Sequence, residues 1–212
     1  MASLARRERA ALCDLLDQVG PDAPTLCGGW STHDLTAHLV LREASPLAAI
    51  GIVVPQLEQV ADRGMERLKE ARPYGDLVQR VREGPPWYSP MRPGKVDRAV
   101  NAMEFYVHHE DVRRAGAEWS PRELSARDQH ALWSRTRLMS RMLGRGATVG
   151  IELVRTDETA SARLAGGEPT LVVRGVPSEL ALFAYGRGAV ADVELAGDAD
   201  AVASFTDSQL GF

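Results

Sequence analysis

Asn101-Ala-Met-Glu104-Phe-Tyr-Val-His108-His109-Glu-Asp111-Val-Arg-Arg114 holds neither proline nor glycine and reads as a helix. On a helix Glu104 and His108, four residues apart, share one face, and Asp111 follows one step further along the same stripe. A carboxylate and an imidazole projecting together supply two corners of a metal site. The third corner has to come from elsewhere, and His38 in Trp30-Ser-Thr-His33-Asp-Leu-Thr-Ala-His38-Leu39 is the best candidate. A His38/Glu104/His108 centre between helices of a bundle is therefore the organising expectation.

Each of these residues also has an ordinary reading. Glu-x-x-x-His occurs on helices as a solvated pair, and a lone His38 is commonly a hydrogen-bonded core histidine. Asp111 either orients His108 as an outer carboxylate or pairs at the surface with Arg114. His109 points about 100° away from His108, so the two do not easily face one metal. His33 is expected to be exposed near a helix start, and His130 on a bundle surface.

Outward from that helix, residues 3–18 carry an apolar stripe through Leu4, Leu12, Leu15 and Leu16, interrupted by Glu8. Ser31 with Asp34 three residues later forms a capping-box-like start for a helix reaching about Glu43. Pro46 suits the first turn of another helix over 46–54. An amphipathic helix is expected up to Ala71, and a shorter one from Asp76 to Arg82. Residues 84–94 hold four prolines with Trp87 and Tyr88, an irregular loop of the kind that caps a pocket. Pro121 opens a further helix, with Leu124, Leu132, Leu138 and Met142 inward.

Beyond Gly146 the period changes. Residues 149–155, 161–164, 171–174 and 193–195 read as strands, with helices at 177–185 and 199–205. The expected organisation is a helical bundle over residues 1–146 and a small α+β domain over 147–212.

Charge divides similarly. The formal net charge is −4, yet the segment from Ala147 onward carries ten acidic residues against four arginines, and all five histidines precede it. The chemistry is expected in the first part. The net charge gives no reason to expect nucleic acid, and no segment has the roughly 20 apolar residues of a membrane span. Two cysteines, Cys13 and Cys27, make no disulfide framework and no Cys-x-x-Cys pair, which fits a reduced cytoplasmic protein. Cys27, in the loop before Trp30, has the better route to the pocket; its expected role is structural.

The string Gly29-Trp30-Ser-Thr-His33-Asp-Leu-Thr-Ala-His38-Leu39, followed by Glu104-x-x-x-His108 and Asp111, resembles the mycothiol-dependent maleylpyruvate isomerase family, within the wider DinB-like group of metal-binding four-helix bundles. Leu171-Val-Val-Arg-Gly-Val-Pro177 through Phe183-Ala-Tyr-Gly186-Arg187 and Val193 to Asp198 is similar to that family's small C-terminal domain, itself similar to sterol-carrier folds. The resemblance spans nearly the whole chain. It implies a metal, typically zinc, held by His38, Glu104 and His108, and mycothiol as cofactor. It also implies that Arg187 binds a substrate carboxylate; as a residue on its own, Arg187 reads equally as a helix-end cap. Nickel, iron and manganese accept the same donors as zinc.

The expected function is thus a metal- and thiol-dependent isomerase or thiol transferase acting on a small electrophile, with Asp111 or His109 moving protons. Two alternatives stand beside it: a metal-binding protein without turnover, and a metal-dependent hydrolase. Related bundles pair through helices, so a homodimer is one expected state.

Overall fold

The computed structural model describes residues 2–44, 58–89, 92, 101–116, 118–197, 201, 202, 205 and 210. The helix expected over 46–54, most of the end of the 84–94 loop, and parts of the last helix at 199–205 lie outside them. The chain divides into two compact units, Met1–Trp119 and Ser120–Phe212.

The first unit is helical: α1 (Leu4–Val19), α2 (Thr32–Ala44), α3 (Glu58–Ala71), α4 (Tyr74–Glu83) and α5 (Ala102–Arg113). Local signals set the ends. Ser3 caps α1 by accepting from the Arg6 amide, and Gly20, at φ 78°, closes it with an N–H donated to the Leu16 carbonyl. The Asp34 carboxylate accepts from both the Ser31 amide and the Ser31 hydroxyl, at 2.9 and 2.7 Å, so the capping box forms as its spacing predicts. Leu12, Leu16, Leu35, Leu39, Leu77, Val81 and Phe105 pack into one core drawn from α1, α2, α4 and α5. Truncating any of these leucines to alanine removes about 2–5 kcal/mol.

Helix α5 departs from the amphipathic norm. Ala102, Met103, Phe105, Tyr106, Val107 and Val112 are buried, and so are Asn101, His109, Glu110 and Asp111. A helix enclosed on nearly every side must find partners for its polar groups inside the protein, because an unpaired buried polar group costs several kcal/mol. Those partners make up the site described below.

The second unit holds α6 (Ala126–Leu143), the strands β1 (Gly150–Arg155), β2 (Ser161–Ala165), β3 (Thr170–Gly175) and β4 (Glu194–Gly197), and α7 (Pro177–Leu182). The strands form one mixed sheet in the order β2-β1-β3-β4, with β1 and β3 parallel and the other pairs antiparallel. Ile151 and Leu153 of β1 and Leu171 and Val173 of β3 are buried alternately with partly exposed neighbours. Helix α6 packs on β2 and α7. Its Gln129 side chain caps α7, accepting from the Ser178 amide and donating to the Ser178 hydroxyl. The architecture is α+β. The helix at 126–143 belongs to the sheet-bearing unit, so the compact units divide at Trp119/Ser120 where the sequence places a boundary near Gly146.

Two readings of α6 are corrected. The helix starts at Ala126, because Ser125 caps it by accepting from the Asp128 amide, and residues 120–125 are not helical. Leu138 is 84% exposed, not inward. At 100° per residue Leu132 and Leu143 share a face that Leu138 does not.

Candidate metal centre

His38 lies on α2, and Glu104 and His108 lie on α5. The spacings 38–42 and 104–108 place His38 above Arg42 and Glu104 above His108 on their helices. The Nε2 atoms of His38 and His108 both face Oε1 of Glu104, at 3.4 and 3.3 Å. The three donor atoms lie within 4.8 Å of one another. With metal–nitrogen and metal–oxygen bonds near 2.0–2.1 Å, tetrahedral ligands stand about 3.3–3.4 Å apart, so both edges have the length a zinc-sized ion needs. The sequence-predicted triad is brought together.

The surroundings hold the donors. His108 Nδ1 is 2.9 Å from Oδ2 of Asp111, which is fully buried, so His108 donates from Nδ1 and turns the lone pair of Nε2 toward Glu104 and His38. Asp111 therefore orients His108, while Arg114 bonds Glu110 at 2.5 Å. Cys27 donates its S–H to the same Asp111 oxygen at 3.1 Å and lies 3.6 Å from His108 Nδ1. Cys27, His108 and Asp111 also have metal-compatible donor types. However, the 2.9 Å separation of His108 and Asp111 is a hydrogen-bond length, shorter than a tetrahedral edge. The Trp30 ring packs on the His38 ring with centroids 5.1 Å apart.

Electrostatics follow from this geometry. Burial pushes the Glu104 carboxyl upward, but the Arg42 guanidinium and bonds from His108 and His38 hold it well below the usual carboxylate range. Burial lowers His38 below its ordinary value, more than Glu104 raises it. Burial also works against the charged form of His108, yet bonds to Asp111, Cys27 and Glu104 raise it well above a normal histidine. In the metal-free chain a proton thus competes for the Nε2 position that a cation would occupy.

Sequence reasoning missed Arg42, whose Nε donates to Glu104 Oε1 at 3.1 Å. Arg42 in turn donates to Asn101 at 2.7 Å, Asn101 donates to Glu43 at 3.2 Å, and Arg9 clamps Glu43 with contacts of 2.8 and 2.5 Å. The available signal was His38-x-x-x-Arg42, an arginine one turn beyond a candidate ligand. Glu8, read as an interruption of a stripe, is buried against His109 at 2.9 Å, so His109 is occupied away from the triad. His33 is half-buried, not exposed: its ring meets Tyr74 edge-on, and its enclosed Nε2 has no hydrogen-bond partner among the described residues. His130 is exposed as expected, near Glu158.

Arg187 belongs to the second unit. Helix α7 continues through Phe183–Arg187, Gly186 turns at φ 81°, and Arg187 Nη1 donates to the Tyr185 carbonyl at 2.6 Å. This is the helix-end contact among its two expected roles.

No described helix is long and apolar enough to cross a membrane. The sequence matches no protein-family model and no curated protein. Two solved structures are similar to the chain in fold. A mycothiol-dependent maleylpyruvate isomerase aligns with a TM-score of 0.58 and 18% identity, covering 92% of this chain and 91% of that one. A histidine-to-alanine mutant described by the same name aligns with a TM-score of 0.60 and 16% identity over the same shares of both chains. At this identity the likeness is one of fold: the chain has the α+β architecture of the mycothiol-dependent maleylpyruvate isomerase.

Proposed function

We propose that the protein is a metal-dependent enzyme that uses a low-molecular-weight thiol, mycothiol being the leading candidate, to isomerise or transfer the thiol to a small electrophilic substrate. The observation that carries this reading is the His38/Glu104/His108 triangle with edges of 3.3 and 3.4 Å at Glu104. Among the described residues it offers three donors. Three is the number at which a four-coordinate metal takes one ligand from outside the chain, as catalytic zinc does. A divalent metal held there supplies the positive charge that keeps a small thiol ionised near neutral pH.

The chain's own residues do the remaining work. Asp111 fixes the tautomer of His108, Trp30 packs against His38, and Arg42 keeps Glu104 ionised. Zinc fits two imidazoles and one carboxylate; nickel, iron and manganese fit them too. The fold shared with an isomerase described as mycothiol-dependent supports the thiol and the isomerisation. Arg187 is assigned to a substrate carboxylate on the strength of the Gly186-Arg187 resemblance. It would leave the Tyr185 carbonyl to do so.

The test begins with metal content of protein purified without chelator or affinity-tag metal, alongside His38→Ala and Glu104→Ala. Roughly stoichiometric metal, lost in both variants, is expected, and maleylpyruvate should then isomerise only when mycothiol is added. Metal without any thiol-dependent turnover would point to a binding protein. No metal in the folded wild type would reduce the triad to bundle contacts.

A further inference from the structure

Arg42 has no evident reason to touch a metal-binding carboxylate, since a guanidinium beside a cation weakens the cation's hold. Its position is nevertheless built with care. Arg42 is buried, with Nε on Glu104 Oε1 at 3.1 Å and Nη1 on Asn101 Oδ1 at 2.7 Å. Asn101 is fixed by Glu43, and Glu43 by Arg9, which also lies 4.2 Å from the centre of the Phe105 ring. Every link in this chain is buried except Glu104 itself.

The charges decide what the arrangement does. Arg9 and Glu43 cancel one another. Among the described residues, a divalent ion at the triad then meets two carboxylates, Glu104 and Asp111, and one guanidinium, Arg42, while the liganding imidazoles are neutral. One net positive charge is left over in a buried setting, where charge interactions are several times stronger than in water. A monoanion in the fourth position brings the sum to zero, whereas a neutral ligand leaves it standing.

We infer that Arg42 is the residue that makes this centre select an anionic outside ligand, such as a thiolate, over a neutral one. This rests on the metal reading above and adds to it the charge class of the ligand and the residue responsible. Arg42 is a positioning residue that acts through Glu104 and through its charge.

The test uses cobalt and azide. Metal-free protein is titrated with Co2+, and azide is then titrated while the visible cobalt bands are followed, for wild type, Arg42→Gln and Arg42→Lys. The expected result is that Arg42→Gln still takes up cobalt at least as tightly as wild type but binds azide roughly tenfold or more weakly, while Arg42→Lys keeps most of the azide affinity. Azide affinity within about twofold of wild type in cobalt-loaded Arg42→Gln would overturn the inference and leave the metal centre standing. Should neither variant fold, the wild type alone decides. It must prefer azide to neutral imidazole as added ligand, and equal affinity overturns the inference. Absence of cobalt bands in the wild type would overturn the metal reading and this inference with it.

Discussion

Replacing Asp111 with asparagine isolates the part of the site that touches no ligand. The carboxylate oxygen lies 2.9 Å from His108 Nδ1 and also accepts from Cys27 at 3.1 Å, with Asp111 fully buried. Two losses follow from the substitution. Asparagine can present its NH2 to the ring and favour the tautomer protonated at Nε2, which removes a metal ligand. It also removes one negative charge about 6 Å from a divalent metal bound at ordinary length on Nε2, a Coulomb attraction of about 5–6 kcal/mol at an effective dielectric near 20, before the metal's other ligands offset part of it. Removing the outer carboxylate of a liganding histidine typically weakens metal binding about 10–100-fold, or about 1.4–2.7 kcal/mol, and the Coulomb attraction, an upper bound, is large enough to supply that loss. Zinc affinity measured by competition with a chromophoric chelator should fall by that factor, while the circular dichroism spectrum stays that of the wild type. An Asp111→Asn protein that folds and binds zinc within about twofold of wild type would refute the claim that Asp111 sets the state of His108.

Other outcomes follow from the same geometry. The raised His108 value means that a proton competes for Nε2, so zinc affinity should climb with rising pH and binding should release protons, measurable by calorimetry in buffers of different ionisation enthalpy. In the metal-free protein the signs are opposite for the two partners. The raised His108 contributes stability that is full below its unfolded value near 6.5 and is lost as pH rises through its folded value. The depressed Glu104 contributes stability present above about 4.3 and lost as pH falls through its folded value. Thermal melts in chelator should therefore show stability declining at both ends of that window. Burial pushes the Cys13 thiol up to about 11, so iodoacetamide at pH 8 should leave it unmodified until the protein unfolds; early labelling at Cys13 by mass spectrometry would contradict its burial. A Cβ at Gly144 would stand 2.3 Å from the Leu164 carbonyl oxygen, so Gly144→Ala should cost about 1–3 kcal/mol and lower the melting temperature by several degrees.

Much of the first unit was legible because its signals are local. The capping box at Ser31 and Asp34, the glycine ending α1, and the four-residue spacing of Glu104 and His108 depend on neighbours a turn away. The strands and α7 declared themselves through the change to period two and through Pro177 and Gly186. Two readings of α6 misled. Leu138 looked inward but shares no face with Leu132 and is 84% exposed. The helix 126–143 looked like a bundle member because period alone cannot say which surface its apolar stripe will cover.

By itself the sequence determined which residue types could meet a metal and on which elements they stand: His38 on one helix, Glu104 and His108 sharing a face of another. Only the tertiary structure decided what surrounds them. Asp111 meets His108 inside the protein, Cys27 arrived from a loop 84 residues earlier, and Arg42 reached Glu104 across 62 positions of chain. The physical reason is the burial of α5. A helix enclosed on nearly every side must satisfy its charges by contacts from distant segments, and such contacts follow from packing, which has no period in the sequence.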